Sequence, residues 1–423
     1  MRSPHTEKLL LKRVARILGG GTPPSNPEFW GGGIPFATPK DLRLVNGGQL
    51  QITERTLTHA GVASGSTIAP KSSVLLSIRA PIGYTALLDG EAAFSQGCKA
   101  VVPDKEKLSA KFLQYALTAQ LPILEISANG TTFQELSAVA LGEVPIDVPK
   151  ANEQDRIVRF LDAEIAKIDH LIAKQEELIR LTEERTEANI ESLVWGQRIT
   201  RESDEVASDR SYRPRAVVSL ALTDRLTSIP NSWDIRRFKW VFERRVERNL
   251  DLTLEMLSLR QTGAVVPRSE TGQNQEPSED SLPKYLVVSP GNLVLNPMWL
   301  TGGAIGVSER SGAVSPDYRV FTVGKELIPA YAHEVLRSIC YRRQFKLFER
   351  ASTTFDRRIQ QADLDNLAVP IPPIEDQEQI VCAVMKIHDR AQQLVYTIKN
   401  HIELLRNRRS ALITAAVTGQ IEI

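Results

Sequence analysis

Two long stretches of the chain repeat their apolar residues every three or four positions and contain neither proline nor glycine: Glu153 to Trp195 and Gln377 to Val417. In the first, Ile165, Ile172, Ile179 and Leu193 fall seven or fourteen apart, with Ile168 at a d-type position between the first two. In the second, Val395 and Ile402 are seven apart, as are Ile398, Leu405 and Leu412. These are heptad seams, interrupted by polar residues at Gln175, Thr182, His388 and Arg409. At 1.5 Å per residue each stretch predicts a helix roughly 60–65 Å long. The plain alternative is two helices buried in separate domains. Two equal helices that end two repeated modules instead predict an antiparallel pair serving as a rigid spacer.

The remaining sequence has a different rhythm. Ser73–Ile78, Tyr84–Leu88 and Lys99–Val102 are short apolar or β-branched runs bounded by Gly, Pro and Asp, and Tyr285–Val288, Leu293–Leu295 and Arg319–Val323 repeat the style later. Such runs predict strands. Lys111–Thr118 and Ala332–Phe348 carry apolar residues at three and four spacing and predict helices. Each globular part closes on a proline-rich strand, Val144–Pro149 and Val369–Pro373, which proline confines to a sheet edge or a linker.

These features come twice. Gly196-Gln197 returns as Gly419-Gln420, 223 residues on, and at the same offset Pro149 meets Pro372, Gln154 meets Gln377, Leu171 meets Leu394, Leu181 meets Leu404, Ala188 meets Ala411 and Ile190 meets Ile413. Ile82-Gly83 meets Ile305-Gly306 at 223, and Thr131-Thr132-Phe133 meets Thr353-Thr354-Phe355 at 222. A repeat of this length is a duplicated domain pair rather than a solenoid. The expected fold class is therefore α+β: two mixed α/β domains separated by two long antiparallel helices that form a coiled-coil spacer, related by a pseudo-twofold internal repeat. The expected divisions are 1–152 for the first globular module, 153–198 for the first helix, 199–228 for a polar linker, 229–374 for the second module and 375–423 for the second helix.

Charge refines the picture. Lys and Arg number 52 against 51 Asp and Glu, so a nucleic-acid surface on this chain must be local, or a partner must supply part of the phosphate contact. Cys98, Cys340 and Cys382 are scattered and form no C-x-x-C pair, which predicts neither a disulfide framework nor a zinc site. The N-terminus lacks an apolar h-region and no apolar run is long enough to span a bilayer, so a cytoplasmic protein with no membrane association is expected.

Enzyme chemistry has little footing. Asn296-Pro297-Met298-Trp299 weakly resembles the Asn/Asp-Pro-Pro-aromatic motif of amino-methyltransferases, but Met replaces the second Pro and no Gly-rich strand–helix turn precedes it. Gly19–Gly21 and Gly31–Gly33 lead into loops rather than helices, and no G-x-x-x-x-G-K-[ST] motif occurs. His5, His59, His170, His333, His388 and His401 do not pair into a metal site. No catalytic and no metal-binding residues are expected.

The motifs, in their order, are similar to those of the specificity subunits of Type I restriction–modification systems. Gly20–Leu42 (GGTPPSNPEFWGGGIPFATPKDL) looks like the opening of a target recognition domain. It is followed by Arg79–Gly83 (RAPIG), Ser95–Ala100 (SQGCKA) and Gly130–Phe133 (GTTF). The second module carries Ile229–Trp233 (IPNSW), Asn296–Leu300 (NPMWL), Gly303–Gly306 (GAIG), Ser315–Tyr318 (SPDY) and Thr353–Phe355 (TTF). Glu153-Gln154 and Asp376-Gln377, which open the helices, also agree. Trp195 departs from the repeat, standing where Thr418 would correspond, and blurs the domain boundary.

The resemblance implies a non-catalytic, DNA-binding subunit. Each module would read one half of a split double-stranded DNA site, and the helical pair would set the gap and dock two modification subunits that methylate adenine. S-adenosylmethionine would belong to those partners, and ATP with Mg to restriction subunits. Within this frame, polar side chains on loops near glycines become candidate DNA contacts: Thr38, Lys40, Arg79, Gln96, Lys99, Thr131 and Thr132 in the first module, and Trp299, Tyr318, Arg319, Thr353, Thr354 and Arg357 in the second. Arg and Gln can read purine edges in a bidentate way, while Lys and Thr mostly hold phosphate. Each could equally be a capped turn or a surface charge. A divergent single-chain methyltransferase and a coiled-coil scaffold without DNA readout stay open as alternatives.

Overall fold

The computed structural model describes residues 6–128, 135–197, 212–214, 228–250, 252–272, 278–348 and 358–423. The chain divides into two compact units, Met1–Glu176 with Ile398–Ile423, and Glu177–Thr397.

The first unit begins with β1 (Glu7–Leu10), β2 (Ala15–Gly19), β3 (Trp30–Ala37), α1 (Pro39–Val45), β4 (Gln49–Leu50), β5 (Arg55–Leu57), α2 (His59–Ala63) and β6 (Thr67–Ala69). It continues with β7 (Val74–Ser77), β8 (Thr85–Leu88), β9 (Ala92–Phe94), β10 (Cys98–Pro103), α3 (Ala110–Ala119), α4 (Leu121–Ile126), α5 (Ala138–Gly142) and β11 (Pro145–Val148). The strands form a five-stranded sheet in the order β2-β10-β7-β8-β4, a four-stranded sheet in the order β5-β3-β9-β6, and a ribbon of β1 with β11. β7 and β9 are buried along their whole length, which is why they read as continuous apolar runs rather than as alternating ones. One face of the larger sheet packs under α3, with Val74, Leu76, Val101, Phe112 and Leu113 in a single core.

The first long helix, α6, runs Ala151–Val194. After it come β12 (Tyr212–Pro214), β13 (Ser228–Pro230), β14 (Asp234–Arg237), α7 (Phe238–Val241), β15 (Phe242–Arg245), β16 (Leu257–Leu259) and β17 (Val265–Pro267). β18 (Leu286–Val288), β19 (Leu293–Leu295), β20 (Ile305–Val307), β21 (Gly312–Val314), β22 (Arg319–Val323), α8 (Pro329–Arg337), α9 (Ile339–Phe348), α10 (Gln361–Asp365), β23 (Ala368–Ile371) and α11 (Ile374–Val417) complete the chain. Apart from Tyr212–Pro214 and Ser228, the expected linker 199–228 lies outside the described residues.

The second unit repeats the plan of the first. Its four-stranded sheet, β15-β22-β19-β20, follows the order β2-β10-β7-β8, while β18–β21, β16–β17 and β14–β23 stand for β6–β9, β3–β5 and β1–β11. Even the parallel pairing of β3 with β9 persists, as a single parallel bridge between Met256 and Ala313. The strand registers correct one part of the sequence comparison. Ile305 and Gly306 lie in β20 opposite Leu295 and Val294, the places that Thr85 and Ala86 hold opposite Leu76 and Leu75. Ile82-Gly83 sits instead in the loop before β8. The β7–β8 and β19–β20 loops differ in length, so an offset that holds along the helices slips inside the sheets. The two glycines also serve different ends: Gly83 adopts φ +97°, whereas a Cβ on Gly306 would come within 2.1 Å of the Gly263 carbonyl oxygen.

Each unit shows the antiparallel helix pairing. In the first, Leu161 and Ile165 near the start of α6 share a core with Ile413, Ala416 and Val417 near the end of α11. Arg409 reaches Asp169 at 3.2 Å and Arg406 reaches Glu176 at 3.5 Å, so the two helices run in opposite directions. In the second, Ile190, Leu193 and Val194 share a core with Ile380 and Val384. Ile165, Ile168, Leu193, Ile398, Ile402 and Leu405 are buried, and Ile172, Ile179, Val395 and Leu412 are half-buried. His388 is a correction to the expected seam: it is exposed, and Ile387 is turned inward in its place. Ile380, Val384, Ile387, Ala391, Val395 and Ile398 step by four, three, four, four and three. The consecutive steps of four insert a stutter, so counting sevens back from Val395 lands one residue off the seam.

A candidate nucleic-acid interface at the open end of each module

Both modules are fastened to their helices in the same way. Gln154 is buried; its Nε2 donates to the carbonyls of Lys107 (2.8 Å) and Pro149 (2.9 Å), and its Oε1 accepts from Ser109 N (2.9 Å). Gln377 donates to the carbonyls of Glu326 and Pro372 (both 2.8 Å) and accepts from Ile328 N (2.7 Å). One amide thus ties the helix start, the closing strand and the loop that leads into α3 or α8. A fully buried amide must have all its hydrogen-bonding capacity met, and only the donor and acceptor of Gln together satisfy these three backbone groups.

In the first module three of the candidate segments meet at the turn between β9 and β10, joined there by Glu135 and Leu136. Ser95 N donates to Ala37 O at 2.9 Å, next to Thr38. Ile78 N donates to Gly97 O at 3.0 Å, and Leu136 N donates to Ile78 O at 2.9 Å. Arg79 Nε pairs with Glu135 Oε2 at 3.0 Å across this seam. Gln96 is exposed at the tip of the turn. Lys99 is half-buried two residues into β10, opposite Gly19 and Leu76. Thr38 caps α1: its hydroxyl accepts from Asp41 N, and Asp41 Oδ2 in turn accepts from Thr38 N at 2.9 Å. That reciprocal box fixes the start of the helix and presents Lys40, which is exposed and paired with Glu54 at 2.7 Å. Thr131 and Thr132 lie outside the described residues.

The second module builds the same corner with different side chains. Ile359 N donates to Pro297 O at 3.2 Å, as Leu136 does to Ile78. The charge at the equivalent of Glu135 is reversed: Arg358 stands there and pairs with Asp317 at 3.0 Å. Arg319 takes the position of Lys99, opposite Leu295. It is 9% exposed. Its Nη2 donates to Ile359 O at 2.6 Å, while its Nη1 has no partner among the described residues. Burial lowers the affinity of this guanidinium for its proton to a pKa of about 10, and Arg244 and Arg358 nearby push the same way. Trp299 is 41% exposed on the β19–β20 loop. Arg337 on α8 holds that loop through the carbonyls of Gly303 and Ile305 (3.3 Å) and ties it to the β16–β17 turn through the carbonyl of Gln261 (3.1 Å). Asn296 Oδ1 accepts from Met298 N at 3.1 Å, so the amide of the methyltransferase-like tetrad closes its own turn. Tyr318 is half-buried against the Val294–Val320 core. Thr353, Thr354 and Arg357 lie outside the described residues.

Two arginines at this corner, Arg244 and Arg358, escaped the sequence reading. Arg244 sits in a basic run, Arg236 to Arg248, whose only local signal is charge. Which of those residues faces the corner depends on the pairing of β15 with β22. Among the described residues no group of three His, Cys, Asp or Glu gathers in a way that could hold a metal ion, and no helix is long and apolar enough to cross a membrane.

Comparison with known proteins agrees with this geometry. A family model described as the Type I restriction modification DNA specificity domain matches residues 6–180. The Type I restriction enzyme MjaIX specificity subunit of Methanocaldococcus jannaschii is 33% identical over 159 residues, which cover 36% of this chain and 36% of that relative. The EcoBI specificity subunit of Escherichia coli is 21% identical over 358 residues, covering 77% of this chain and 68% of its own length. A chain solved in work on complex assembly and conformational transition of the type I R-M system shares the fold over 100% of both chains, with a TM-score of 0.68 at 15% identity. The specificity-domain model thus matches the first module and most of the first long helix, the same sheet frame is repeated in the second module, and the chain spans little more than a third of the length of the relative that it matches at 33% identity.

Proposed function

We propose that this protein reads a bipartite site in double-stranded DNA, one half with each module, and directs adenine methylation by partner subunits while doing no chemistry itself. The observation that carries this reading is the duplicated corner. The two modules share strand order, register and the buried glutamine latch, yet they differ in side chain at equivalent positions: Lys99 against Arg319, and Glu135 against Arg358, where the charge reverses. A constant frame with variable polar groups at one end suits two modules that read different base edges. Lys40, Arg79, Gln96, Lys99, Trp299, Tyr318 and Arg319 remain the proposed contact residues of the described chain, with Thr38 setting the start of α1 beneath Lys40.

The helices support the partner reading. Leu171 and Leu394 are 49% and 45% exposed, and Leu181 and Leu404 are 46% and 65% exposed. These leucines are identical between the repeats although neither pair is in the core. A duplicated, exposed apolar surface suits two copies of one partner, here two modification subunits carrying S-adenosylmethionine. Restriction subunits using ATP and Mg would join the same assembly. The near-neutral net charge agrees with partners that provide much of the phosphate contact. A cytoplasmic location follows from this role.

The test is adenine-methylation mapping of DNA from cells that express this chain with its modification subunit, against cells without it. A new split motif with a fixed gap, present only when both are expressed, is the expected result. No methylation, from a stable complex whose modification subunit is active with another specificity chain, overturns the reading.

A further inference from the structure

The second module gathers positive charge that its fold does not need. Arg319 is nine-tenths buried and has no carboxylate partner among the described residues. The charges it feels most strongly are two further guanidiniums, Arg244 and Arg358, ahead of the more weakly opposing Asp365. The strand register explains the gathering. Arg244 lies opposite Phe321, and Arg319 lies two residues before Phe321 on β22, so the two arginines share a sheet face. Arg358 follows from the segment that Arg319 holds through the Ile359 carbonyl. Arg244 is exposed and makes no ion pair or side-chain hydrogen bond among the described residues. Arg358 is half exposed and, among the described residues, pairs with Asp317 alone. Folding by itself disfavours such an arrangement, because like charges repel and a buried cation loses hydration. An anion arriving from outside relieves both costs.

We propose that Arg244 and Arg358, standing over the buried Arg319, form the seat of one backbone phosphate of the DNA read by the second module. This inference rests on the DNA-reading function proposed above. Arg319 acts as a positioning residue: its fork fixes the Ile359 carbonyl and thereby the neighbouring Arg358, and its charge deepens the local field. Among the described residues the first module has no such seat. Lys99, Arg79 and Lys40 are its cations at the corresponding corner, and Arg79 and Lys40 are paired with Glu135 and Glu54. The two half-sites are thus held with unequal electrostatic grip, stronger at the second.

The experiment uses the complete complex with its modification subunits and a duplex that carries the methylated motif, and measures affinity from low to moderate salt. Each lost phosphate contact removes about one from the slope of log affinity against log salt. Arg244→Gln and Arg358→Gln are each expected to lower the slope, the two together by about that amount because they share one phosphate, and to leave the methylated motif unchanged. Arg319→Met is expected to match Arg358→Gln, and Arg319→Lys to recover part of the loss. Unchanged slopes in both surface variants overturn the proposal. So does a slope that holds while the motif relaxes at one base of the second half-site, since that marks base reading. A wild-type complex that produces no split motif overturns the functional reading itself, and this inference with it.

Discussion

Gln154 and Gln377 show what one residue does twice. Replacing either by Ala leaves two carbonyls and one N–H without partners at the helix start. With about 1–3 kcal/mol for each buried unsatisfied group, and some relief from water, Gln154→Ala and Gln377→Ala are each expected to destabilise their own unit by roughly 2–5 kcal/mol. Urea unfolding followed by a probe in each unit checks this, and equal unfolding of both units in either variant contradicts it. The helix-ending glycines are equivalent in sequence but not in setting. Gly196 has φ +72° and Gly419 has φ +67°, so Ala at either site costs about 1–2 kcal/mol of left-handed strain. A Cβ at Gly196 would also meet Pro230 at 2.7 Å and Trp233 at 2.8 Å, while at Gly419 nothing lies within 4 Å. Gly196→Ala is therefore expected to cost about 1–3 kcal/mol more than Gly419→Ala, a difference that melting curves resolve.

At the scale of the element, the second long helix meets its own module through charge as well as packing. His388 Nε2 lies 3.8 Å from Glu334 Oε2 on α8. The Glu334 carboxylate beside it raises the His388 pKa above its ordinary value, and the protonated ring in turn helps lower that of Glu334 against the opposing effect of burial. A group whose folded pKa is raised contributes its stability fully below the unfolded value and loses it as pH rises through the folded value. The contact should thus be complete below about pH 6.5 and fade above it, by less than about 1 kcal/mol because the ring is half exposed. His388→Gln is expected to flatten that slope of stability between pH 6 and 8, and an unchanged slope would assign the pH dependence elsewhere. The stutter around Ile387, Ala391 and Val395 belongs to this scale as well. Deleting one heptad from both helices outside the stutter keeps the seam in register and shortens each by about 10 Å. The methylated motif should then lose about 3 base pairs from its gap, at 3.4 Å per step, and mapping that returns the original gap would end the spacer reading.

For the whole molecule, duplication is the organising fact. Under the function proposed above, exposed leucines that recur across the repeat predict that Leu181→Asp and Leu404→Asp each reduce the modification subunits bound from two to one, with both globular modules intact. Native mass spectrometry of the assembled complex reads this directly. Two subunits retained in both single variants would show that these leucines are not the docking surface. The unequal charge of the two corners belongs to the same scale: under the function proposed above, two unlike modules on one frame would bind an asymmetric site.

Much of this was legible along the chain. Heptad spacing, the absence of Pro and Gly from two long stretches, and repeated pairs such as Gln154 and Gln377 announced the helices and the duplication, because these are local or periodic properties written into neighbouring residues. Other features depended on which strands pair. The offset between Ile82-Gly83 and Ile305-Gly306 failed because the loops before β8 and β20 differ in length, and a sheet register is set by hydrogen bonds between distant strands. His388 left the seam because an α-helix drifts against a strict seven-residue repeat. Arg244 and Arg358 joined the site only through the pairing of β15 with β22 and through the hydrogen bond from Ile359 to Pro297. The residue types at a binding corner are chosen by the sequence; their convergence is decided by long-range strand pairing, which no run of adjacent residues encodes.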